Sequence, residues 1–451
     1  MSSSSVSLPS PPSPILTAPL LPTILRLAWP GVLLVGLQTA VSVMEMHAVG
    51  RLGTAPLAGL ALVFPFVMLL QMMSAGAIGG SISSAIARAL GAGNPARAQA
   101  LLFHAFVLAL LIGCGFSVLM VIAGPWLFGL LGGRDAVLQA ASHYAMILFG
   151  ACLFTWLANF CASMLRGQGA MGAPALMLGA AACVHIPLTY ALTLGAWGAP
   201  ALGIRGAALA YVLAAAFACA LHLSWLMRGP VRVRLSFRGQ TWDRALAWDI
   251  VRVGGLASMA AVQTVLTALV LTGAVTYFGV QSLAGFGIGV RLELLQVPLV
   301  FAIGAALVPI VGTNIGAGQT QRAKRAAFVG AGVAGCVCGV IGLVAALWPQ
   351  LWTGLFTQDP LVAAIGADYL RRVAPFYPAM GVAVALYFAS QGAQQVGWPV
   401  LAGTVRLAIA AGGSALVVAT GGTAVGVFWA VALAIVAWGA VTAWAVWRAR
   451  W

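Results

Sequence analysis

The chain has 451 residues, of which 62% are hydrophobic and only 6% are charged. This composition excludes an ordinary water-soluble domain, in which roughly a quarter of the residues carry charge. The formal net charge is +15, which by itself could indicate an anionic surface or a nucleic acid as the partner.

Eight long stretches contain no Asp, Glu, Lys or Arg, and each is long enough for one or two membrane spans of about 20 residues. Cutting them at Gly/Pro clusters and at the charged joints gives twelve predicted spans. In chain order these are 26–49, 58–87, 99–124, 138–164, 173–196, 205–227, 249–274, 283–312, 325–347, 363–390, 399–420 and 423–448. Long, continuously apolar runs favour helices over barrel strands, which are short and alternate in polarity. The predicted fold class is therefore an all-α integral membrane protein with twelve transmembrane helices.

The first residues, MSSSSVSLPSPPSP, lack a basic segment followed by a short apolar core, so we expect no cleaved signal peptide. The predicted order is a flexible cytoplasmic tail (1–25), a first lobe (26–227), a basic cytoplasmic linker (228–248) and a second lobe (249–451). All seven cysteines lie in apolar segments, and Cys336 and Cys338 lack a second pair or histidines nearby. We therefore expect neither a metal site nor any other cofactor.

The basic residues are distributed unevenly between the two sides of the predicted membrane. With the N-terminus inside, fifteen of the 22 Lys and Arg residues fall on the cytoplasmic side, five fall outside and two lie within spans. This positive-inside bias predicts a multi-pass protein of the bacterial inner membrane with both termini cytoplasmic. The arginine-rich linker then lies near anionic headgroups, which argues against a nucleic-acid partner.

The two halves of the chain repeat each other at a nearly constant offset. RLGTAPLAGLAL at 51–62 resembles YFGVQSLAGFGI at 277–288, and LGAGNPARAQ at 90–99 resembles IGAGQTQRAK at 315–324. The offsets are 226 and 225 residues. Six spans per half is an even number, so both six-helix lobes enter the bilayer from the same side as parallel repeats. We expect a substrate to bind between two lobes that rock against each other.

Several of these segments also point to a known family. MEMHAVGRLGTAPLAGL, ALGAGNPARAQ and GVRLELLQVPLVFAIGAALVPIVGTNIGAGQTQRA resemble the multidrug and toxic compound extrusion (MATE) family, and the resemblance extends from about residue 22 to the end of the chain. It implies a two-lobed exporter that extrudes small organic compounds, often cationic, in exchange for protons or sodium. We expect such a protein to function as a monomer, with small molecules and the lipid bilayer as its partners.

One carboxylate lies within the first span, where a charge costs roughly 2.5–3.5 kcal/mol on insertion scales. Gln38, Ser42 and Glu45 follow each other at i, i+4 and i+7, a spacing that puts them on one helical face. In the MATE family a carboxylate, usually Asp, precedes the Gly that ends this span by five residues, and here Glu45 precedes Gly50. In a low dielectric the neutral carboxyl is favoured, so Glu45 could exchange a proton for a cationic substrate. The alternative is a structural Glu paired with an Arg or a backbone group.

The eighth span carries two further charges, Arg291 and Glu293, which point to different helical faces. Glu293 shares its face with Gln296. The first half has Phe66 and Met68 at the corresponding positions, so the charges belong to one lobe alone. The family often has an Arg at the position of Arg291, which makes a role in transport one interpretation and a structural ion pair or a cytoplasm-facing anchor the other.

Two more polar positions complete the candidate set. Arg406, in the eleventh span, could pair with either glutamate or snorkel to an interface. His185 and Thr189 surround Pro187 in the fifth span, where relatives carry an Asn, and sometimes an acid, used in coupling. His185 could relay a proton, although a buried and satisfied histidine is the alternative.

These observations favour secondary antiport by alternating access, with a proton rather than sodium as the coupling ion, since sodium sites usually need several oxygen ligands. A lipid-linked precursor flippase of similar architecture would need a cluster of cations in its cavity, and only Arg291 and Arg406 are available. A polytopic membrane enzyme is the third possibility. The chain has no HExxH or GxSxG motif, so we expect it not to be an enzyme.

Overall fold

The structure, a computed structural model, describes residues 14–451. Eleven of its helices are individually long and apolar enough to cross a membrane, and one pair of shorter helices bent by 49° makes a twelfth span. The predicted all-α fold with twelve spans is confirmed.

The helices are numbered here by span. The first half contains α1 (Leu20–Gly50), α2 (Thr54–Gly91), α3 (Pro95–Leu130), α4 (Asp135–Gly150 and Leu153–Gly167), α5 (Gly172–Leu194) and α6 (Ile204–Arg228). The second half contains α7 (Arg244–Thr276), α8 (Val280–Gly316), α9 (Thr320–Leu347), α10 (Pro360–Gly392), α11 (Gly397–Ala419) and α12 (Ala424–Arg448).

Each predicted span lies within one of these helices to within two residues. The helices themselves run further, because several continue past the apolar core into the charged joints. α1 begins six residues before the predicted start, and a short helix, Pro14–Thr17, precedes it. Residues 14–25 of the predicted flexible tail are thus largely helical, while residues 1–13 lie outside the described part.

The two lobes exchange the beginnings of their first helices. Ile24 and Ala28 of α1 pack in the hydrophobic core formed mainly by the second half, whereas Val49 at the other end of α1 packs in the core of the first half. In the second half, Ile250 near the start of α7 packs in the core of the first half. Since Ile24 and Ile250 are separated by the repeat offset, this exchange follows the internal symmetry.

The lobes meet where the second halves of α2 and α8 cross. A Cβ on Gly91 would lie 2.2 Å from the Thr313 carbonyl oxygen, and one on Gly316 would lie 2.1 Å from the Arg88 carbonyl oxygen. These two contacts are related by the offset of 225 residues. Gly312 lies against Ala87, its own counterpart, with a would-be Cβ 3.0 Å from the Ala87 Cβ. The pseudo-twofold axis therefore passes between them, and only small residues allow the helix backbones to approach so closely.

The first halves of α2 and α8 turn away from this crossing into their own lobes. A Cβ on Gly59 would lie 2.8 Å from the backbone nitrogen of Ala141 in α4. The equivalent Gly285 packs against Ile365 and Gly366 of α10. The lobes are thus joined on the side of the two GAG loops and diverge towards the other side.

Arginines at equivalent positions hold the joined side together. The side chains of Arg97 and Arg88 lie 3.3 and 3.4 Å from the Oδ2 atom of Asp249 in α7. Arg322, the counterpart of Arg97, donates hydrogen bonds to backbone carbonyls before α1, including that of Ala18. Each arginine of the pair therefore fixes the entry of the other lobe's first helix.

The linker between the halves packs on the first lobe. Val233 is buried, and its backbone N–H donates to the Gln168 Oε1 atom at 2.9 Å. The backbone N–H of Asp243 donates to His104 Nε2 at 2.7 Å, while the His104 ring stacks on Trp242. A histidine that the sequence suggests is merely structural thus anchors the linker.

Replacing Gly316 by Val should separate the lobes on the joined side, because the new side chain would overlap the Arg88 carbonyl. Overpacking of this kind typically costs about 1–3 kcal/mol, so the purified protein should unfold at a lower temperature. Gly332→Val in α9, where nothing lies within 4 Å of the new Cβ, is the matched control. Equal melting temperatures for the two variants would show that the crossing does not limit stability.

Candidate functional site

Glu45 lies in the second half of α1 and faces the first lobe. Its half-buried carboxylate accepts a hydrogen bond of 2.6 Å from the hydroxyl group of Tyr144 in α4. Tyr144 itself is only 2% exposed. No salt bridge to Glu45 is present among residues 14–451, so its bonded partner there is a neutral phenol. This geometry favours the functional interpretation of Glu45 over an ion pair with an arginine.

A chain of amides and hydroxyls lies in the core of the first lobe. Asn159 Nδ2 donates to Gln71 Oε1 at 2.9 Å and to Ser74 Oγ at 2.8 Å, and Gln71 Nε2 donates to the Tyr211 hydroxyl at 2.9 Å. This network joins α2, α4 and α6. Ser74 belongs to a π-helical turn, Met72–Ala77, a distortion that is frequently found at functional sites. The sequence reasoning did not identify Asn159 or Tyr211, because neither belongs to a recognisable spaced motif.

His185 and Thr189 lie beside this network. The His185 ring makes an edge-on contact with Tyr211, with centroids 5.7 Å apart, and the buried Nε2 atom has no hydrogen-bond partner among the described residues. The Thr189 hydroxyl donates to the backbone carbonyl of His185 at 2.9 Å. His185 is therefore buried but unsatisfied, and Thr189 uses its donor within its own helix.

Gln38 and Ser42 share the α1 face with Glu45, as the unbroken helix requires. Both side chains are exposed, and neither makes a side-chain hydrogen bond within the part of the chain that the structure describes. Of the three polar residues, only Glu45 is thus tied to the first lobe. Gln38 and Ser42 remain accessible to a ligand or to water.

The second lobe repeats the tyrosine but not the position of the carboxylate. The hydroxyl of Tyr369 in α10 donates to the carboxylate of Glu293 in α8, and both residues are buried. Tyr369 lies 225 residues after Tyr144, so the two tyrosines are equivalent. Their carboxylate partners come from non-equivalent helices, α1 and α8. The repeat offset could have revealed this pair from the sequence, had the tyrosines been compared.

The other two candidates in α8 are not brought to Glu293. Arg291 is exposed, and its guanidinium carbon lies 5.3 Å from the ring centroid of Phe356 in the loop before α10. Gln296 is buried, with its Nε2 atom donating to the Leu292 carbonyl within the same helix at 3.2 Å. The expectation that Arg291 and Glu293 face different directions agrees with this geometry.

A cavity of about 220 Å³ lies in the second lobe and is closed on one side by the π-helical turn of α2. Its wall, drawn otherwise from α7, α8, α10, α11 and α12, is mainly apolar but includes Glu293 and Arg406. The Arg406 guanidinium carbon lies 4.5 Å from the ring centroid of Trp438, within cation–π range. Arg406 therefore faces the interior of the lobe rather than snorkelling to an interface.

The sequence matches the MatE family model twice, over residues 30–191 and 256–416. The chain belongs to the MATE family. The two matches lie one in each half, in agreement with the repeat. Members of this family are membrane transporters, so the expectation that the protein is not an enzyme is confirmed.

Similar proteins support the assignment. The chain is 27% identical to an FAD transporter from Shewanella oneidensis over 82% of each chain. It is 29% identical to the multidrug resistance protein NorM from Burkholderia vietnamiensis over 81% of this chain and 80% of that protein. Its fold is similar to that of a MOP superfamily transporter from Pyrococcus furiosus, with a TM-score of 0.88 and 21% identity over 97% and 98% of the two chains. It is also similar to the outward-facing conformation of a multidrug resistance MATE transporter, with a TM-score of 0.87 and 22% identity over 96% and 97%.

The tyrosine that contacts Glu45 can be tested by Tyr144→Phe, which removes only the hydroxyl group. A hydrogen bond to a charged group contributes about 1.5–3 kcal/mol, so transport that depends on Glu45 should slow by roughly tenfold or more. Drug-induced collapse of a pH gradient in everted vesicles would measure this. Tyr369→Phe is the matched variant in the second lobe, and an equal loss in both would mean that Glu45 has no special position.

Proposed function

We propose that this protein is a secondary exporter of small organic cations that exchanges them for protons across the bacterial inner membrane, working as a monomer. The observation that carries the proposal is the Glu45 carboxylate, half-buried on α1 and bonded only to a phenol. Membership of a family of multidrug exporters supports the direction of transport, and the distribution of the arginines supports cytoplasmic termini.

Glu45 would bind a proton and a cationic substrate alternately. As a carboxylate it accepts the Tyr144 hydrogen bond and attracts an organic cation, whereas a protonated Glu45 carries no charge and loses that attraction. The exposed Gln38 and Ser42 lie on the same α1 face and would contact the substrate beside it. Proton entry would therefore release the substrate, which is the exchange that an antiporter requires.

The pseudo-symmetric crossing of α2 and α8 would serve as the pivot for alternating access. The lobes are joined on the GAG-loop side, which the charge distribution assigns to the cytoplasm, and they diverge on the other side. In this arrangement Glu45 would be reached from outside. Breaking the contacts of Asp249 with Arg88 and Arg97 would accompany opening to the cytoplasm.

Glu45→Gln should abolish exchange, because an amide neither binds a proton nor attracts a cation. Glu45→Asp keeps the carboxylate, which the MATE family usually carries as Asp, and should retain part of the activity. Purified protein in proteoliposomes under an imposed pH or sodium gradient would measure uptake of an organic cation such as ethidium. Exchange driven by sodium alone would contradict proton coupling, and full activity in Glu45→Gln would remove Glu45 from the mechanism.

A second candidate function is export of FAD or a related flavin. The name of the Shewanella relative favours it, as does the cationic Arg406 side chain in the second-lobe cavity. The same proteoliposomes should then take up FAD against the gradient. FAD uptake without ethidium uptake would favour this candidate over the first.

A further inference from the structure

Arg406 is a charged group without an anionic contact. Its side chain makes no hydrogen bond and no ion pair within 4 Å in the described range 14–451, although it has five N–H donors. Its one specific neighbour is the Trp438 ring. A guanidinium placed in an apolar interior is costly unless its donors are paired.

The other polar side chains of the cavity wall are satisfied by the protein itself. The Tyr387 hydroxyl donates to the Ala257 carbonyl at 3.1 Å, and the Thr267 hydroxyl donates to the Gln263 carbonyl at 2.7 Å. Glu293 accepts the Tyr369 hydroxyl. Arg406 is therefore the side chain that supplies free donors to the cavity.

The rest of the wall suits a flat apolar body. Aromatic rings of Phe286, Phe301, Phe388 and Trp438 line the cavity together with small residues such as Ala257. A volume of about 220 Å³ accommodates one or two fused rings. Because the π-helical turn of the first lobe forms part of the wall, a ligand here would contact both lobes.

We infer that the second-lobe cavity binds aromatic organic anions, with a carboxylate or phosphate on the Arg406 guanidinium and the ring among the aromatic side chains. Arginine binds such groups through two parallel N–H donors. Glu293 lies on the same wall and, when ionised, competes with the ligand for the positive charge. The site is separate from Glu45, and proton exchange in the first lobe does not require it.

Three naphthalene probes that differ only in charge can test this. They are 1-naphthoate, the neutral 1-naphthamide and the cationic 1-naphthylmethylammonium, titrated calorimetrically into the full-length protein in lipid nanodiscs, with empty nanodiscs subtracted. The anion should bind most tightly and the cation least. Tighter binding of the cation, or equal binding of anion and amide, would overturn the inference and leave Arg406 as the counter-charge of Glu293.

Two variants should act in opposite directions. Arg406→Gln should weaken 1-naphthoate binding by about tenfold or more, because it removes a charge-assisted pair. Glu293→Gln should strengthen it, because the competing negative charge is lost. If Arg406→Gln failed to fold, Arg406→Lys and Glu293→Gln would still decide, since Arg406→Lys should keep the preference for the anion over the amide. Unchanged affinity in Glu293→Gln together with loss of that preference in Arg406→Lys would contradict the inference.

Arg448→Gln is the matched control, since the Arg448 guanidinium lies 5.0 Å from the ring centroid of Trp444 in the same helix as Trp438 but outside the cavity. It should bind 1-naphthoate like the unmodified protein, and weakening equal to that of Arg406→Gln would contradict the assignment. Glu45→Gln should stop proton exchange and leave 1-naphthoate binding intact. Failure of the antiport proposal would thus leave the binding result standing, and failure of anion binding would leave antiport standing.

Discussion

The close contact of Ala87 with Gly312 on the pseudo-twofold axis sets the arrangement of the whole molecule. Two helix backbones can approach this closely only where side chains are absent or a single methyl group, so the crossing fixes where the lobes join. From this point α2 and α8 diverge into their own lobes. Every candidate site lies along those diverging segments or on the helices that face them.

The repeat is kept in the scaffold and in the tyrosines, but it is broken in the acids. Tyr144 and Tyr369 occupy equivalent positions, and each donates to a carboxylate. The carboxylates, Glu45 and Glu293, belong to α1 and α8. The first is half-buried on the face of its lobe, whereas the second is buried behind a cavity wall. One repeated donor thus serves two sites with different access and different neighbours.

The spans, the repeat and the family could be predicted from the sequence because each leaves a linear signal: apolar length, a constant offset or a motif. Side-chain facing was harder to predict. Lipid is as apolar as a protein core, so a uniformly apolar helix shows no periodicity that separates its packed face from its lipid face. Asn159, Tyr211 and the inward direction of Arg406 were therefore missed or left open. Arg291 was included from the family resemblance, yet its side chain lies on Phe356, away from Glu293.

The exchange of Ile24 and Ile250 between the two cores has a consequence for the origin of the fold. A single six-helix half would lack the residues that complete its own core and would present the start of its first helix unpacked. Two identical copies could satisfy each other by trading those segments about a twofold axis, as in a domain-swapped dimer. The present chain has the geometry of such a pair after gene fusion, with the linker packed on His104 and Gln168 as the covalent joint that made the partnership permanent.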